Sequence, residues 1–339
     1  MNKDFWLKSK ISVIGGGSWG TCLAHLASAN CSEVRLWVRS EEQAREINAN
    51  RVNLKYLPEL KLRENLRAVS DPKRIFEGGV DAIVWGLPSR VTREQARFLA
   101  PLFDGREIII HATKGVEEGS LKRISTILRE ELPCHRIGVV SGPNLAKEVA
   151  QGQPGATVVA STFDEVVQAG QQLFNGPTFR VYPGRDVVGI EWAGVLKNVL
   201  AIASGAIDAL GFGWNARAML ISRGLAEMVR FGLAMGGEQM TFLGLAGVGD
   251  LMATCSSPLS RNYRVGFRLA KGDPIDVILR ELGSTAEGVK TTYSVREFAR
   301  KREISMPITE GVYQVLEGQP AGRVLEQLML HPVFNDGVF

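Results

Sequence analysis

The sequence predicts a mixed α/β protein in two parts: a parallel sheet with flanking helices, then an all-helical domain. Three observations carry this prediction. Up to about residue 185, short Val/Ile-rich runs alternate with amphipathic stretches of helix length; a glycine-rich loop follows the first run; and beyond Pro183-Gly184 the apolar periodicity is helical throughout. At 339 residues the chain exceeds one ordinary core. The division is drawn to give domains 1–188 and 189–339.

The apolar runs at 11–14, 34–38, 82–85, 108–112, 137–141 and 156–160 have the length and composition of strands buried on both faces. Between them lie stretches such as 20–30, 41–50, 92–103 and 120–132, long enough for crossover helices. Strands alternating with helices imply a parallel sheet with right-handed connections. In the second half, helices are expected at 190–210, 215–236, 260–271, 274–282, 286–302 and 306–317, punctuated by glycines at 211, 213, 236, 237, 272 and 318.

Composition excludes several function classes. Forty basic and thirty-six acidic residues leave a net charge of +4, spread without runs, which argues against a nucleic-acid or membrane-surface partner. The four cysteines (Cys22, Cys31, Cys134, Cys255) form no CxxC pair, so neither a disulfide framework nor a zinc ribbon is indicated. Four histidines (His25, His111, His135, His331) provide no HExxH helix, and no metal is expected. The polar amino terminus, MNKDFWLKSK, lacks the apolar core of a secretory leader. The apolar stretch 193–211 carries Lys197, Asn198 and Asp208 and is unsuited to face lipid. A soluble, cytoplasmic protein is expected, and the apolar helices of the second half would suit a homodimer.

The segment ISVIGGGSWGTCLA places Gly15, Gly17 and Gly20 in a GxGxxG pattern between a strand and a helix of small residues. Gly15 permits the tight turn, Gly17 lets a pyrophosphate approach the backbone, and Gly20 lets helix and strand pack closely. Phosphate then meets free N–H groups at the positive end of the helix, so the first domain is expected to be a Rossmann-type dinucleotide-binding domain. Ser18 and Trp19 supply loop N–H groups, and Trp19 supplies either a flat wall for the cofactor or simple loop packing. After the second strand, where an NAD-selective site often carries Asp or Glu, stands Arg39. A guanidinium clamps a 2′-phosphate with two hydrogen bonds, which favours NADPH/NADP+ and leaves NADH/NAD+ open; the alternative is a solvated arginine at a strand end.

Ligands of open parallel sheets bind beyond the carboxyl ends of the strands. The third exit, AIVWGLPSR, turns at Pro88; the fourth, IIIHATKGV, carries Lys114; the fifth, GVVSGPNLAKEVA, makes a tight loop at Gly142-Pro143-Asn144 before a helix start. In the helical half, GIEWAGVLKNVLAIASG embeds Lys197 in apolar turns, where an ammonium needs a partner or a cleft. A desolvated, carboxylate-paired lysine can act as a general acid toward a carbonyl oxygen. Asp250, in GLAGVGDLMATC, is a candidate partner or an ordinary first-turn acid. Ser260, Arg261 and Asn262 form a polar cluster at a helix start, matched to a phosphate or else a serine cap with a surface arginine. Glu287, in STAEGVKTT, either closes over the cofactor ribose or begins a helix.

Taken in order, GGGSWGTCLA, HATKGVE, SGPNLAKEV, GIEWAGVLKNVLAIASG, LAGVGDLMATCSSPLSRNYRVG, EGVKT and MPITEGVYQVL resemble the NAD(P)-dependent glycerol-3-phosphate dehydrogenases, from about residue 11 to 317 and closest to the bacterial single-chain enzymes. The resemblance implies reversible hydride transfer from NAD(P)H to dihydroxyacetone phosphate, giving sn-glycerol 3-phosphate for glycerophospholipid synthesis. It implies Lys197 as the proton donor or acceptor at C2 and Lys114 as a contact to both cofactor and substrate. Gly142, Asn144, Asp250, Ser260, Arg261 and Asn262 would hold the substrate; Ser18, Trp19, Arg39, Ala146, Arg261 and Glu287 would complete the cofactor site. Three departures stand out: Asn144 where a small hydroxyl residue is common, Trp192-Ala193 where Leu and Gly are more usual, and a match around Glu287 limited to a few residues. Two rivals remain. A related two-domain hydroxy-acid dehydrogenase would want a catalytic His–Glu pair or a different lysine context, and the helical half has no histidine before His331. A non-catalytic NADP-sensing protein would have no need of Lys114, Lys197, Asp250 and Arg261 together.

Overall fold

A computed structural model describes residues 3–282 and 286–330; His331, the tail beyond it, and residues 283–285 ahead of Glu287 lie outside the described residues. The chain forms two compact units, the first comprising residues up to Lys114 and Lys122–Val187, the second Gly115–Leu121 and residues from Val188 onward. The excursion at Gly115–Leu121 has no sequence signal beyond Leu121, which is buried in the second unit's core.

The first unit begins α1 (Lys3–Lys8), β1 (Lys10–Ile14), α2 (Ser18–Ser28), β2 (Glu33–Trp37), α3 (Glu41–Asn50), β3 (Leu66–Val69) and α4 (Lys73–Phe76). It continues β4 (Ala82–Trp85), α5 (Ser89–Leu99), β5 (Ile108–His111), α6 (Ile124–Glu131), β6 (Ile137–Ser141), α7 (Ala146–Ala150), β7 (Gly155–Ala160), α8 (Asp164–Phe174) and β8 (Phe179–Gly184). The eight strands lie in the order β3-β2-β1-β4-β5-β6-β7-β8. Ile11 of β1 is flanked by Val34 and Ala82, so the strand order reverses at β1 and β4, the place where α/β sheets bind ligands.

The central strands β4, β5 and β6 are buried at every residue, as expected of apolar runs covered on both faces. One sheet face packs Leu23, Ala27 and Phe174; the other packs Leu99, Ile124 and Leu128. The sheet is not wholly parallel: β6 and β7 are antiparallel, while β8 returns parallel to β7 across α8. The five-residue α7 is too short to carry the chain back along the sheet, so the connection reverses direction instead. Both edge strands, β3 and β8, are additional to the predicted set. Arg67 in β3 and Arg180 and Tyr182 in β8 face outward and interrupt the apolar runs, as an edge permits. Pro183, which reads as linker, is the penultimate residue of β8, where a missing N–H is tolerated.

The second unit is built from α9 (Val187–Ala209), α10 (Trp214–Ala234), α11 (Gln239–Phe242), α12 (Asp250–Ser256), α13 (Arg261–Ala270), α14 (Ile275–Glu281), α15 (Glu287–Lys301), α16 (Pro307–Leu316) and α17 (Ala321–Met329). A π-helical turn, Leu245–Gly249, leads directly into α12. By length and composition α9 could cross a membrane, but 83% of its most apolar window is buried within the protein, as in a core helix. It crosses α13 at backbone contact. A Cβ on Gly205 would stand 1.9 Å from the Tyr263 carbonyl oxygen, and one on Gly266 1.8 Å from that of Ile202. Gly266→Ala should therefore lower the unfolding free energy by about 1–3 kcal/mol or more, read from the urea midpoint. An unchanged midpoint would show that the two helices separate without cost.

Candidate active site

In the first unit the glycine loop links β1 to α2. Gly15 has φ +120°, and a Cβ there would lie 2.8 Å from the Gly86 carbonyl oxygen at the end of β4. A Cβ on Gly20 would lie 1.9 Å from the Gly15 carbonyl oxygen, so helix and turn are in contact as the spacing predicts. Gly17 is different: nothing stands within 4 Å of its missing Cβ. The loop is thus closed on its protein side and open at Gly17, at the amino end of an eleven-residue helix, a cradle that fits a dinucleotide diphosphate. Ser18 opens α2 and donates through Oγ to the Tyr56 carbonyl (3.3 Å). Trp19 packs edge-on against Phe179 with ring centroids 6.3 Å apart, its ring lying against the core; among the described residues its buried Nε1 has no hydrogen-bond partner. Arg39 is exposed two residues beyond the end of β2, next to Ser40, whose Oγ caps α3 by accepting from the Gln43 N–H.

The exits of β4, β5 and β6 are tied together. Thr113 Oγ1 donates to the Leu87 carbonyl (2.6 Å), and Lys114 Nζ donates to the Gly142 carbonyl (3.0 Å). Asn144 Nδ2 donates to Thr157 Oγ1 (2.9 Å), which donates onward to the Ser141 carbonyl (3.0 Å). Among the described residues the buried Oδ1 of Asn144 and Oγ of Ser141 have no hydrogen-bond partner. Ala146 opens α7 beside the same loop.

In the second unit Lys197 lies midway along α9 and is 6% exposed; Asp250, the first residue of α12, is 2% exposed. Lys197 Nζ donates to Asp250 Oδ1 at 2.6 Å and to Thr254 Oγ1 at 2.7 Å. Thr254 Oγ1 donates in turn to the Asp250 carbonyl at 2.6 Å. Asp250 is thus both the counter-ion of a buried ammonium and the first-turn acid of α12. Thr254 escaped the sequence reading, although its position four residues after Asp250 puts both on one helix face. The π turn immediately before Asp250 is a common accompaniment of functional sites.

Ser260 caps α13, its Oγ accepting from the Tyr263 N–H (3.3 Å), and Arg261 is the exposed first residue of that helix. Asn262 is buried, and its Oδ1 accepts from the Gly288 N–H (3.0 Å) in the first turn of α15, leaving the Nδ2 group for other contacts. That bond places Glu287, the first residue of α15, beside the Ser260-Arg261-Asn262 cluster. Asn198 adjoins the same turn: a Cβ on Gly288 would lie 2.6 Å from its carbonyl oxygen. Lys197, Asp250 and Asn262 therefore belong to one framework of α9, α12, α13 and α15. Among the described residues no group of three His, Cys, Asp or Glu side chains could hold a metal ion.

Burial pushes the Cys255 thiol up to about 12, overriding the opposite pull of nearby Lys197, and pushes Cys22, Cys31 and Cys134 to about 12 as well. At pH 8 only about one such thiol in ten thousand is ionised. Ellman's reagent should leave the native protein unlabelled and label all four cysteines after unfolding in guanidinium. Rapid labelling of native Cys255 would contradict its burial.

Family models match the two parts of the chain separately. Residues 10–167 match the amino-terminal, and residues 186–325 the carboxy-terminal, model of NAD-dependent glycerol-3-phosphate dehydrogenase. The glycerol-3-phosphate dehydrogenase [NAD(P)+] of Leuconostoc mesenteroides is 43% identical over 335 residues, covering 97% of this chain and 99% of the relative. That of Teredinibacter turnerae is 44% identical over 328 residues, covering 96% of each. The crystal structure of glycerol-3-phosphate dehydrogenase from Coxiella burnetii superposes with a TM-score of 0.89 at 38% identity, covering 95% of this chain and 99% of that one. With its glycine cradle and its buried Lys197–Asp250 pair, this chain belongs to the NAD-dependent glycerol-3-phosphate dehydrogenase family.

Proposed function

We propose that this chain reduces dihydroxyacetone phosphate to sn-glycerol 3-phosphate, reversibly, with Lys197 as the proton donor to the ketone oxygen. The single observation that carries the assignment is the buried ammonium of Lys197, held by Asp250 and Thr254. When bound, the nicotinamide cofactor supplies the hydride. As C2 is reduced, charge builds on the carbonyl oxygen; Lys197 stabilises that charge and gives up a proton, leaving an alcohol. In the reverse direction the amine takes the proton back. Asp250 offsets the cost of burying the ammonium, and Thr254 limits where it can point, so the donor is oriented before the substrate arrives.

Gly15, Gly17 and Gly20, with Ser18 and the backbone of Trp19, hold the cofactor diphosphate, and Ala146 and Glu287 add contacts. Arg39 is assigned to the 2′-phosphate, making NADPH the preferred cofactor and NADH the weaker one. The substrate phosphate is a dianion that needs cationic and N–H donors: Arg261, Ser260, the Asn262 amide and the start of α13 provide them. Arg261 is also assigned a cofactor contact. Lys114, Gly142 and Asn144 complete the polyol contacts, with Lys114 shared with the cofactor. The product suits glycerophospholipid synthesis in the cytoplasm. Exposed apolar side chains of the second unit, among them Met240, Leu243 and Met252, support a homodimer, which sedimentation equilibrium tests by mass.

Lys197→Ala should lower kcat for NADPH oxidation with dihydroxyacetone phosphate by at least about a hundredfold, with NADPH binding retained. Near-normal turnover would remove Lys197 from proton transfer. Arg261→Ala should chiefly raise KM for the phosphorylated ketone, and Arg39→Asp should raise KM for NADPH about tenfold or more while leaving NADH little changed. Equal KM values for NADPH in wild type and Arg39→Asp would contradict the 2′-phosphate assignment.

A further inference from the structure

We propose that Asn53 is a positioning residue for the cofactor diphosphate, holding the Gly16–Gly17 peptide so that its N–H faces the cradle. Asn53 lies in the fifteen-residue connection between α3, ending at Asn50, and β3, starting at Leu66. Connections of this length in α/β units usually have a task beyond joining two elements. The segment is anchored rather than loose: Leu57, Leu60 and Leu62 are buried in the core of the first unit, and Arg51 donates to the Leu66 carbonyl. The backbone of Asn53 is pinned as well, its carbonyl accepting from the N–H groups of Tyr56 (3.1 Å) and Leu57 (2.8 Å).

From this rigid turn the Asn53 side chain, 1% exposed, reaches the glycine loop. Its Nδ2 donates to the Gly16 carbonyl at 3.0 Å and to Thr21 Oγ1 at 2.8 Å, bridging the loop to the first turn of α2. Gly16 is confined on another side by Val38, just beyond β2, since a Cβ there would lie 2.4 Å from Val38 Cγ1. The Gly16 carbonyl and the Gly17 N–H belong to one trans peptide and point in opposite directions. A donor holding that carbonyl therefore turns the Gly17 N–H the other way and polarises it. That N–H precedes the first intrahelical bond of α2, made from the Thr21 N–H to the Gly17 carbonyl at 2.9 Å. Gly17 is also the loop glycine with open space where its Cβ would be. Asn53 thus orients the loop peptide that opens the cradle, without touching the ligand itself. Ser18, bonded to the Tyr56 carbonyl, ties the next residue of the loop to the same turn.

The inference rests on the reading of the loop as a dinucleotide site, and the test separates the two. Calorimetric titrations of wild type, Asn53→Ala and the near-isosteric Asn53→Asp use three ligands: NADPH, ADP-ribose, and adenosine 2′,5′-bisphosphate, which lacks the diphosphate bridge. Both variants should bind NADPH and ADP-ribose about tenfold more weakly, the scale of one lost buried hydrogen bond. Adenosine 2′,5′-bisphosphate should bind within about twofold of wild type, and KM for NADPH should rise while KM for dihydroxyacetone phosphate does not. In Asn53→Asp the ADP-ribose affinity should recover toward wild type as the pH falls from 8 to 5.5, because a protonated carboxyl can again donate to the Gly16 carbonyl. ADP-ribose affinity equal to wild type, or an equal loss for the ligand without a diphosphate, overturns the role of Asn53. If Asn53→Ala does not fold, Asn53→Asp and its pH response decide the matter alone. Failure of wild type to bind NADPH overturns the dinucleotide reading instead.

Discussion

An ammonium group removed from water needs a counter-charge, and the second unit is organised around that requirement. Lys197 sits midway along a largely apolar helix, and its partner comes from another element. The partner is Asp250, brought in at the head of α12 by a glycine-containing π turn. Thr254, one helical turn farther on, receives a second N–H of the ammonium and returns its own proton to the Asp250 backbone. A pair buried this deeply is not an efficient source of stability, because desolvation offsets much of the attraction. Its value is orientation: the donor stands in one place, at an angle set by two acceptors.

The surrounding helices keep that arrangement in register with the Ser260-Arg261-Asn262 corner at the start of α13. Gly205 and Gly266 let α9 and α13 touch backbone to backbone, and Asn262 fastens the start of α13 to the start of α15. Bulk is also used away from the polar groups. Trp192, a departure from the usual family residue, is fully buried and packs against Phe231 with ring centroids 5.0 Å apart, while the neighbouring Ala193 leaves no side chain to accommodate beyond its methyl group. Asn144, another departure, is likewise integrated, bonded to Thr157 across the strand exit.

Much of this was legible in the residues because the relevant signals are local. A strand buried on both faces announces itself as a Val/Ile run, and the glycine loop carries its spacing within six residues. Lys197 stands out because a charge inside an apolar helix demands an explanation. What was hidden depends on contacts between distant segments. The edge strands β3 and β8 mix polar and apolar residues because each exposes some positions to solvent, so no run marks them. The reversal at β6 and β7 follows from the shortness of α7, which apolar periodicity does not report. Thr254 was within reach, at a spacing of one helical turn from Asp250. Asn53 was not: thirty-seven residues separate it from Gly16, and an asparagine in a polar connection looks like any other turn residue until the fold brings the two together.

The claim on which the account turns is that a positioned amine at residue 197 moves the proton. Chemical rescue addresses it directly. Turnover of Lys197→Ala is measured against increasing concentrations of small primary amines, at saturating NADPH and dihydroxyacetone phosphate. The account predicts saturable recovery of NADPH oxidation whose extent follows the basicity of the amine and falls for amines too bulky for the vacated side-chain volume. A flat response to every amine, in a folded variant that still binds NADPH, would contradict it.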